Sequence, residues 1–425
     1  MTTKSTTIPE TTAPDLAHDT SPTGDPAPGC EVAAGFRFAG VHCGVKRQRK
    51  DVALLVADAP CDVAGMFTSN RVQAPPVRYC REVLASRDQI RAVIVNSGNA
   101  NACTGAQGMT DARAMAQRVA DAIGCVPEDV LVGSTGVIGR VLPMDKILPG
   151  IDAAAAALDA SAGHDAAEAI CTTDTHAKTA SRRVSLSTGE VAIGGMAKGS
   201  GMIAPDLVGL HATTLAYLTT DARIPSADLR ALLQVAMDDS FNAITVDGDT
   251  STNDTVLLLA SGASGVALET EEDTRLFAEA LHAVAFDLAM QIVRDGEGAQ
   301  RVIEMRVRGA SSIENARRVA RTLAESPLVK TAFCAGEPNW GRLMMAIGRA
   351  GVDLDESIVA IDVNDLEVVR AGLGTDHDPE SLREEMTRDE VVVRVDLGGD
   401  PAQSASVWTC DLTEEYVRIN GLYLT

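Results

Sequence analysis

KGSGMIAPDLVGLHATTLAYLTTDA, Lys198 to Ala222, joins a glycine-rich lead with one lysine to an apolar run that opens on two adjacent hydroxyls, Thr213 and Thr214. The run is short, ends at Asp221 and reads as a strand. Nothing around it supplies a conventional catalytic triad, and His211, just before Thr213, reads as a packing or surface residue. A lone threonine is a poor nucleophile because its hydroxyl needs a base. It gains one when it becomes an N-terminal residue, since its own α-amino group, with a reference pKa of about 7.7–8.0, takes the proton. An internal threonine reaches that state only if the bond before it is cut. The small Ala212 and the flexible lead are compatible with such a cut, although Ala-Thr pairs are common in any sequence.

Outward from this stretch, short apolar runs alternate with helical patterns. DVALLVAD (51–58) and IRAVIVNSG (90–98) read as buried strands, and further strands follow at DTVLLLASG (254–262), RVIEMRVRG (301–309) and DEVVVRVDLGG (389–399). ESIVAIDVNDLEVVRAG reads as a hairpin turning at Asn364 and Asp365. GMTDARAMAQRVADAIG predicts a helix capped by Thr110, apolar along Met115, Val119 and Ile123, and stopped by Gly124. Two more helices open at Ser226 and Thr270. The pattern is an α/β mixture without internal repeats, with a C-terminal α/β unit expected from about residue 320.

The chain has 425 residues, room for about two or three domains. Its formal net charge of −22 argues against nucleic acid or an anionic membrane as partner, since either would repel it. Nine cysteines, odd in number and never spaced CxxC, fit reduced thiols in a cytoplasmic protein. No uninterrupted apolar run approaches the ~18 residues of a membrane span, and no signal-peptide core is evident. Residues 1–29 are rich in Thr, Pro and Asp and are expected to form a disordered tail.

Three glycine-rich segments, NSGNANACTG, GSTGVIG and GGMAKGSGM, match neither P-loop nor GxGxxG spacing. A Gly-Ser-Thr-Gly turn after the strand-like DVLV can aim backbone N–H groups and the Thr135 hydroxyl at a developing oxyanion; the plainer reading is a turn alone. In TVDGDTSTNDT the Asp247-x-Asp249 pair lacks the other ligands of a calcium loop, so a side-chain-braced turn is expected there and no metal.

Taken together, DVALLVAD, GMFTSNRVQAPPV, VNSGNANACTGAQG, STGVIGRVLPMDKI, CTTDTHAK, GGMAKGSGMIAP, ATTLAYLTTDA, DGDTSTNDTVLLL, DGEGA, PNWGRL and the terminal YVRINGLYLT resemble, in this order, the ornithine acetyltransferases, or glutamate N-acetyltransferases of arginine biosynthesis. The resemblance implies an α/β sandwich of helix-covered sheets and a precursor cut between Ala212 and Thr213. The products would be chains 30–212 and 213–425, assembled as a heterotetramer of two of each. It implies Thr213 as nucleophile, Thr135 and Gly136 as oxyanion hole, and Thr172, Lys198, Thr213, Glu297, Asn420 and Thr425 as substrate-binding residues. The implied reaction is ping-pong: acetylornithine acetylates Thr213, ornithine leaves, and glutamate takes the acetyl group. No cofactor is implied; acetyl-CoA is left open as a second donor. A hydrolase sharing the nucleophile is the alternative, with water as acceptor. Val208 to His211 depart from the family pattern as an insertion just before the cut, and Thr214 offers a second hydroxyl beside the motif-matched Thr213.

Overall fold

The computed structural model describes residues 28–68, 70–204 and 214–422. The first part of the chain runs β1 (Phe36–Val41), β2 (Val52–Phe67), α1 (Pro75–Leu84), β3 (Gln89–Asn99), α2 (Gly105–Ile123), β4 (Val130–Val137), α3 (Met144–Ala156), α4 (Gly163–Ile170), β5 (Lys178–Leu186), β6 (Gly189–Lys198), β7 (Leu215–Thr220), α5 (Ser226–Asp238), β8 (Thr255–Ala260) and α6 (Glu271–Arg294). The second part runs β9 (Val302–Arg308), α7 (Ile313–Ala324), α8 (Pro327–Ala335), α9 (Trp340–Gly348), β10 (Ala360–Val363), β11 (Leu366–Arg370), β12 (Leu373–Gly374), α10 (Pro379–Met386), β13 (Glu390–Asp396), β14 (Ala405–Cys410) and α11 (Glu414–Leu422).

The strands form two sheets. Eight belong to the first, in the order β4-β3-β2-β8-β7-β6-β5 with β1 added along β2; six belong to the second, in the order β12-β11-β10-β13-β9-β14. The second sheet therefore opens at Val302, ahead of the change of unit expected near residue 320. The long strand β2 serves two neighbourhoods. Its first half pairs with β1 and β3, its second half pairs mainly with β8, and the β2–β3 register breaks between Val56 and Cys61. At ~4.8 Å per strand, β4 and β6 would lie ~24 Å apart in a flat sheet. Yet side chains from the two touch, as the site below requires, so the sheet folds over itself.

The alternation along β7 and β8 fits this arrangement. Leu215, Tyr217, Leu257 and Leu259 face a core shared with β3, β4, α1 and α2, whereas Ala216, Leu218, Val256 and Leu258 face a second core shared with α5 and α6. A third core lies between the second sheet and α7 to α10. The two parts are joined by a bridge between Ile244 and Trp408; within the second part the buried Lys330 ties α8 to β14, its ammonium donating to Thr409 Oγ1 at 2.8 Å and to the Cys410 carbonyl.

Most sequence expectations hold locally. Thr270 caps α6 in a reciprocal capping box with Asp273, Gly124 ends α2 in the left-handed region at φ 75°, and the hairpin turns at Asn364 and Asp365. The cap of α2 needs correction. Helix α2 begins at Gly105, so Thr110 lies inside it and its hydroxyl bonds the Ala106 carbonyl. The start is moved upstream by Asn101, whose side chain accepts from the Thr104 hydroxyl at 2.7 Å and donates to the Gly108 carbonyl at 2.9 Å. Helix α6 is long and apolar enough to resemble a membrane span by length and composition, but charged residues interrupt its apolar run and half of that stretch is buried, with Phe277, Leu281, Val284 and Leu288 packed into the second core.

Candidate active site

Strand β4 carries the first element. The expected turn at Gly133–Gly136 is instead strand: parallel pairing with β3 continues through Gly133↔Val95, Ser134↔Asn96, Thr135↔Ser97 and Gly136↔Gly98, and slips only at Asn99. The glycines accommodate a close approach rather than a reversal. A Cβ on Gly136, at φ 125°, would stand 2.4 Å from the Gly98 carbonyl carbon, so no other residue fits. The strand end is braced by buried amides: Asn253 Nδ2 donates to the Ser134 carbonyl at 2.9 Å and the Ala100 carbonyl at 2.6 Å, and Ser134 Oγ donates to Asn96 Oδ1 at 2.6 Å. Thr135 is buried at this braced end.

Lys198, the last residue of β6, reaches across. Its ammonium donates to Thr135 Oγ1 at 3.4 Å and lies 4.0 Å from Asp174 Oδ2. Asp174 is fully enclosed and holds three segments together: it accepts from Thr172 N at 2.8 Å, Gly199 N at 2.7 Å and Lys178 Nζ at 2.8 Å. Burial opposes its ionisation, but the Lys198 and Lys178 ammoniums outweigh burial and hold the carboxyl well below the usual carboxylate range. Lys178 is likewise opposed by burial, yet Asp174 and Asp295 together raise it above the ordinary lysine value. Its second partner, Asp295 Oδ2, lies at 2.5 Å. Asp295 also accepts from Thr175 N and Thr175 Oγ1, so the loop after α4 is pinned to the loop after α6.

That second loop supplies Glu297. Its backbone N–H donates to the Ser200 carbonyl at 2.9 Å, Ser200 Oγ donates to the Asp295 carbonyl at 2.5 Å, and Asn420 Nδ2 on α11 donates to Glu297 Oε2 at 2.7 Å. The Glu297 carboxylate lies over Gly201, where a Cβ would come within 2.4 Å of Oε2. The lead GSGM thus needs its glycine for contact with Glu297. Asp247 holds the same lead from the other side, accepting from Met202 N at 2.6 Å, Ile203 N at 2.9 Å and the Tyr416 hydroxyl at 3.2 Å. Its carboxyl is raised by burial. TVDGDTSTNDT is therefore a bracing segment, as its Asx and Ser/Thr composition suggested; among the described residues no group of three or more His, Cys, Asp or Glu could hold a metal ion.

Thr135, Gly136, Thr172, Lys198, Glu297 and Asn420 are thereby linked through short chains of contacts. Ala212, Thr213, Thr425 and the insertion Val208 to His211 lie outside the described residues. The chain resumes at Thr214, which is wholly buried and leads into β7, where Leu215 pairs with Lys198. Thr214 Oγ1 has no hydrogen-bond partner among the described residues. Sequence reasoning passed over Asp174, Lys178, Asp295 and Ser200. All four sit inside quoted motifs, and an acidic residue four positions before a lysine in CTTDTHAK was the available sign of a pair.

Comparison with known proteins finds relatives along nearly the whole chain. The ArgJ family model matches residues 37–425. An arginine biosynthesis bifunctional protein ArgJ from Symbiobacterium thermophilum is 47% identical over 404 residues, covering 94% of this chain and 99% of that protein. The protein of the same name from Chlorobaculum tepidum is 46% identical over 390 residues, covering 92% and 95%. Among solved structures, an ornithine acetyltransferase from Mycobacterium tuberculosis complexed with ornithine is 42% identical, covers 42% of this chain and 96% of its own, and has a TM-score of 0.40.

Proposed function

The chain belongs to the ArgJ family and is an ornithine acetyltransferase of arginine biosynthesis, and we propose that it works by moving an acetyl group through Thr213. Cleavage of the Ala212–Thr213 bond frees an α-amine beside the hydroxyl it activates. The amine takes the hydroxyl proton as Oγ attacks the acetyl carbonyl of N2-acetylornithine; the tetrahedral oxyanion collapses, the C–N bond breaks, and the proton passes to the departing ornithine amine. The amine of glutamate then attacks the ester, and N-acetylglutamate leaves as Thr213 Oγ regains its proton. Splitting one amide exchange into two acyl transfers lets both use the same oxyanion hole.

The observation that carries this reading is the Lys198–Thr135 contact at 3.4 Å. It joins strands far apart in sheet order, and Lys198 pairs with Leu215, two residues past the proposed nucleophile. Thr135 and Gly136 then serve as oxyanion donors, Lys198 adds positive charge beside them, and Thr172, Glu297, Asn420 and Thr425 hold the substrate. Acetyl-CoA as a second donor, in keeping with the bifunctional name of the relatives, a heterotetramer of two cleaved pairs, and a cytoplasmic location, in keeping with nine free thiols, belong to the same proposal. A denaturing gel tests the cut. Wild type and Thr214→Ala run as two chains and Thr213→Ala as one; efficient processing of Thr213→Ala removes Thr213 from the mechanism.

A further inference from the structure

A ping-pong acetyl exchange between ornithine and glutamate passes both amino acids through one ester, so their reacting nitrogens occupy one place in turn. Their side chains end in opposite charges, an ammonium and a carboxylate. A site serving both therefore needs an anion for one and a cation for the other. Glu297 is an anion of the right kind, already oriented by Asn420. Of the lysines around the site, Lys178 is fully enclosed and bound to two carboxylates, and Lys198 is shared between Asp174 and Thr135.

Lys46 differs. Its ammonium donates to the Cys171 carbonyl at 2.7 Å, and among the described residues no carboxylate comes within ion-pair distance of it. Its stem crosses Gly98, with Cγ 2.9 Å from where a Cβ on that glycine would stand, and Gly98 pairs with Gly136. The contacts therefore close into a ring: Gly136 and Thr135, then Lys198, Asp174, Thr172, Cys171, Lys46 and back through Gly98. The loop is preformed, because Asp51 accepts from Cys43 N at 2.6 Å, Gly44 N at 3.1 Å and Lys46 N at 2.9 Å. Asp51 thus fixes the backbone of Lys46 and leaves its ammonium free of a carboxylate partner.

We infer that Lys46 is the specificity residue for the acceptor, receiving the side-chain carboxylate of glutamate on the ammonium hydrogens not donated to Cys171. Burial brings the Lys46 amine down to about 8, with Arg49 adding repulsion and Cys171, Asp51 and Asp174 only partly offsetting it. A carboxylate arriving there completes the compensation of a half-buried charge, which favours binding of that group. The assignment rests on the reaction scheme above.

The test separates the half-reactions in processed wild type, Lys46→Met and Lys46→Arg. Ornithine release from acetylornithine alone reports the first; deacetylation by glutamate, or by glutamine as a neutral acceptor, reports the second. Lys46→Met is expected to raise the KM for glutamate by about 10- to 100-fold, the loss typical of a hydrogen bond between charged groups. Ornithine release and the response to glutamine stay near wild type, and Lys46→Arg recovers the glutamate preference. Equal losses with glutamate and glutamine, or slowed ornithine release, overturn the assignment. A wild type that never forms the acetylated enzyme overturns the reaction scheme itself; one that forms it, with Lys46→Met unaltered toward glutamate, overturns only the role of Lys46.

Discussion

Lys178 and Lys46 flank the same loop, Cys171 to Asp174, and both are withdrawn from water, yet their ammoniums end in opposite conditions. Lys178 lies between Asp174 and Asp295 and is raised above its ordinary value; Lys46 meets a carbonyl and is lowered to about 8. Partners, more than burial, decide what a withdrawn lysine does. A saturated cation builds the scaffold, pinning the loop after α4 to the loop after α6 across the proposed cut. An unsaturated one is available to a ligand.

The largest effect that sharpens this contrast is on stability. Lys178→Met leaves two buried carboxylates without their shared cation, and the cost is about 3–5 kcal/mol. Lys46→Met removes a charge that burial disfavours, and its stability stays within ~0.5 kcal/mol of wild type. Urea unfolding at neutral pH compares the two, and similar losses would erase the distinction. The next effect is on rate. Thr135→Ala removes the hydroxyl that Lys198 reaches and is expected to lower kcat by about 10²–10³ with little change in the KM for acetylornithine. An unchanged kcat would assign Thr135 to the scaffold that Lys178 supports.

How far the sequence carried this picture depended on whether the relevant contacts were local. Buried strands such as β3 and β8 were legible because both faces are covered and the apolar runs are continuous. The Thr270 cap and the Gly124 stop were legible because their partners lie within a turn. Gly133 to Gly136 was misread as a reversal because glycines usually punctuate structure, whereas here parallel pairing with β3 carries the strand through them. The clamp was not legible at all: Lys178 and Asp295 are 117 residues apart, and they meet only because α6 packs along β5 and brings its C-terminal Asp295 to the start of that strand. Thr172, Lys198, Glu297 and Asn420 were singled out by resemblance, and only the fold explains why Asp174 and Gly201 must accompany them.

The central claim is that the acetyl group rests on Thr213 between donor and acceptor. Mass spectrometry of processed enzyme mixed with N2-acetylornithine, without glutamate, tests it most directly. The account predicts that the chain beginning at Thr213 becomes heavier by one acetyl group, that fragmentation places the group on Thr213, and that added glutamate removes it. An acetyl group on Thr214 or on another residue, or continued turnover with no acetylated chain, would contradict it.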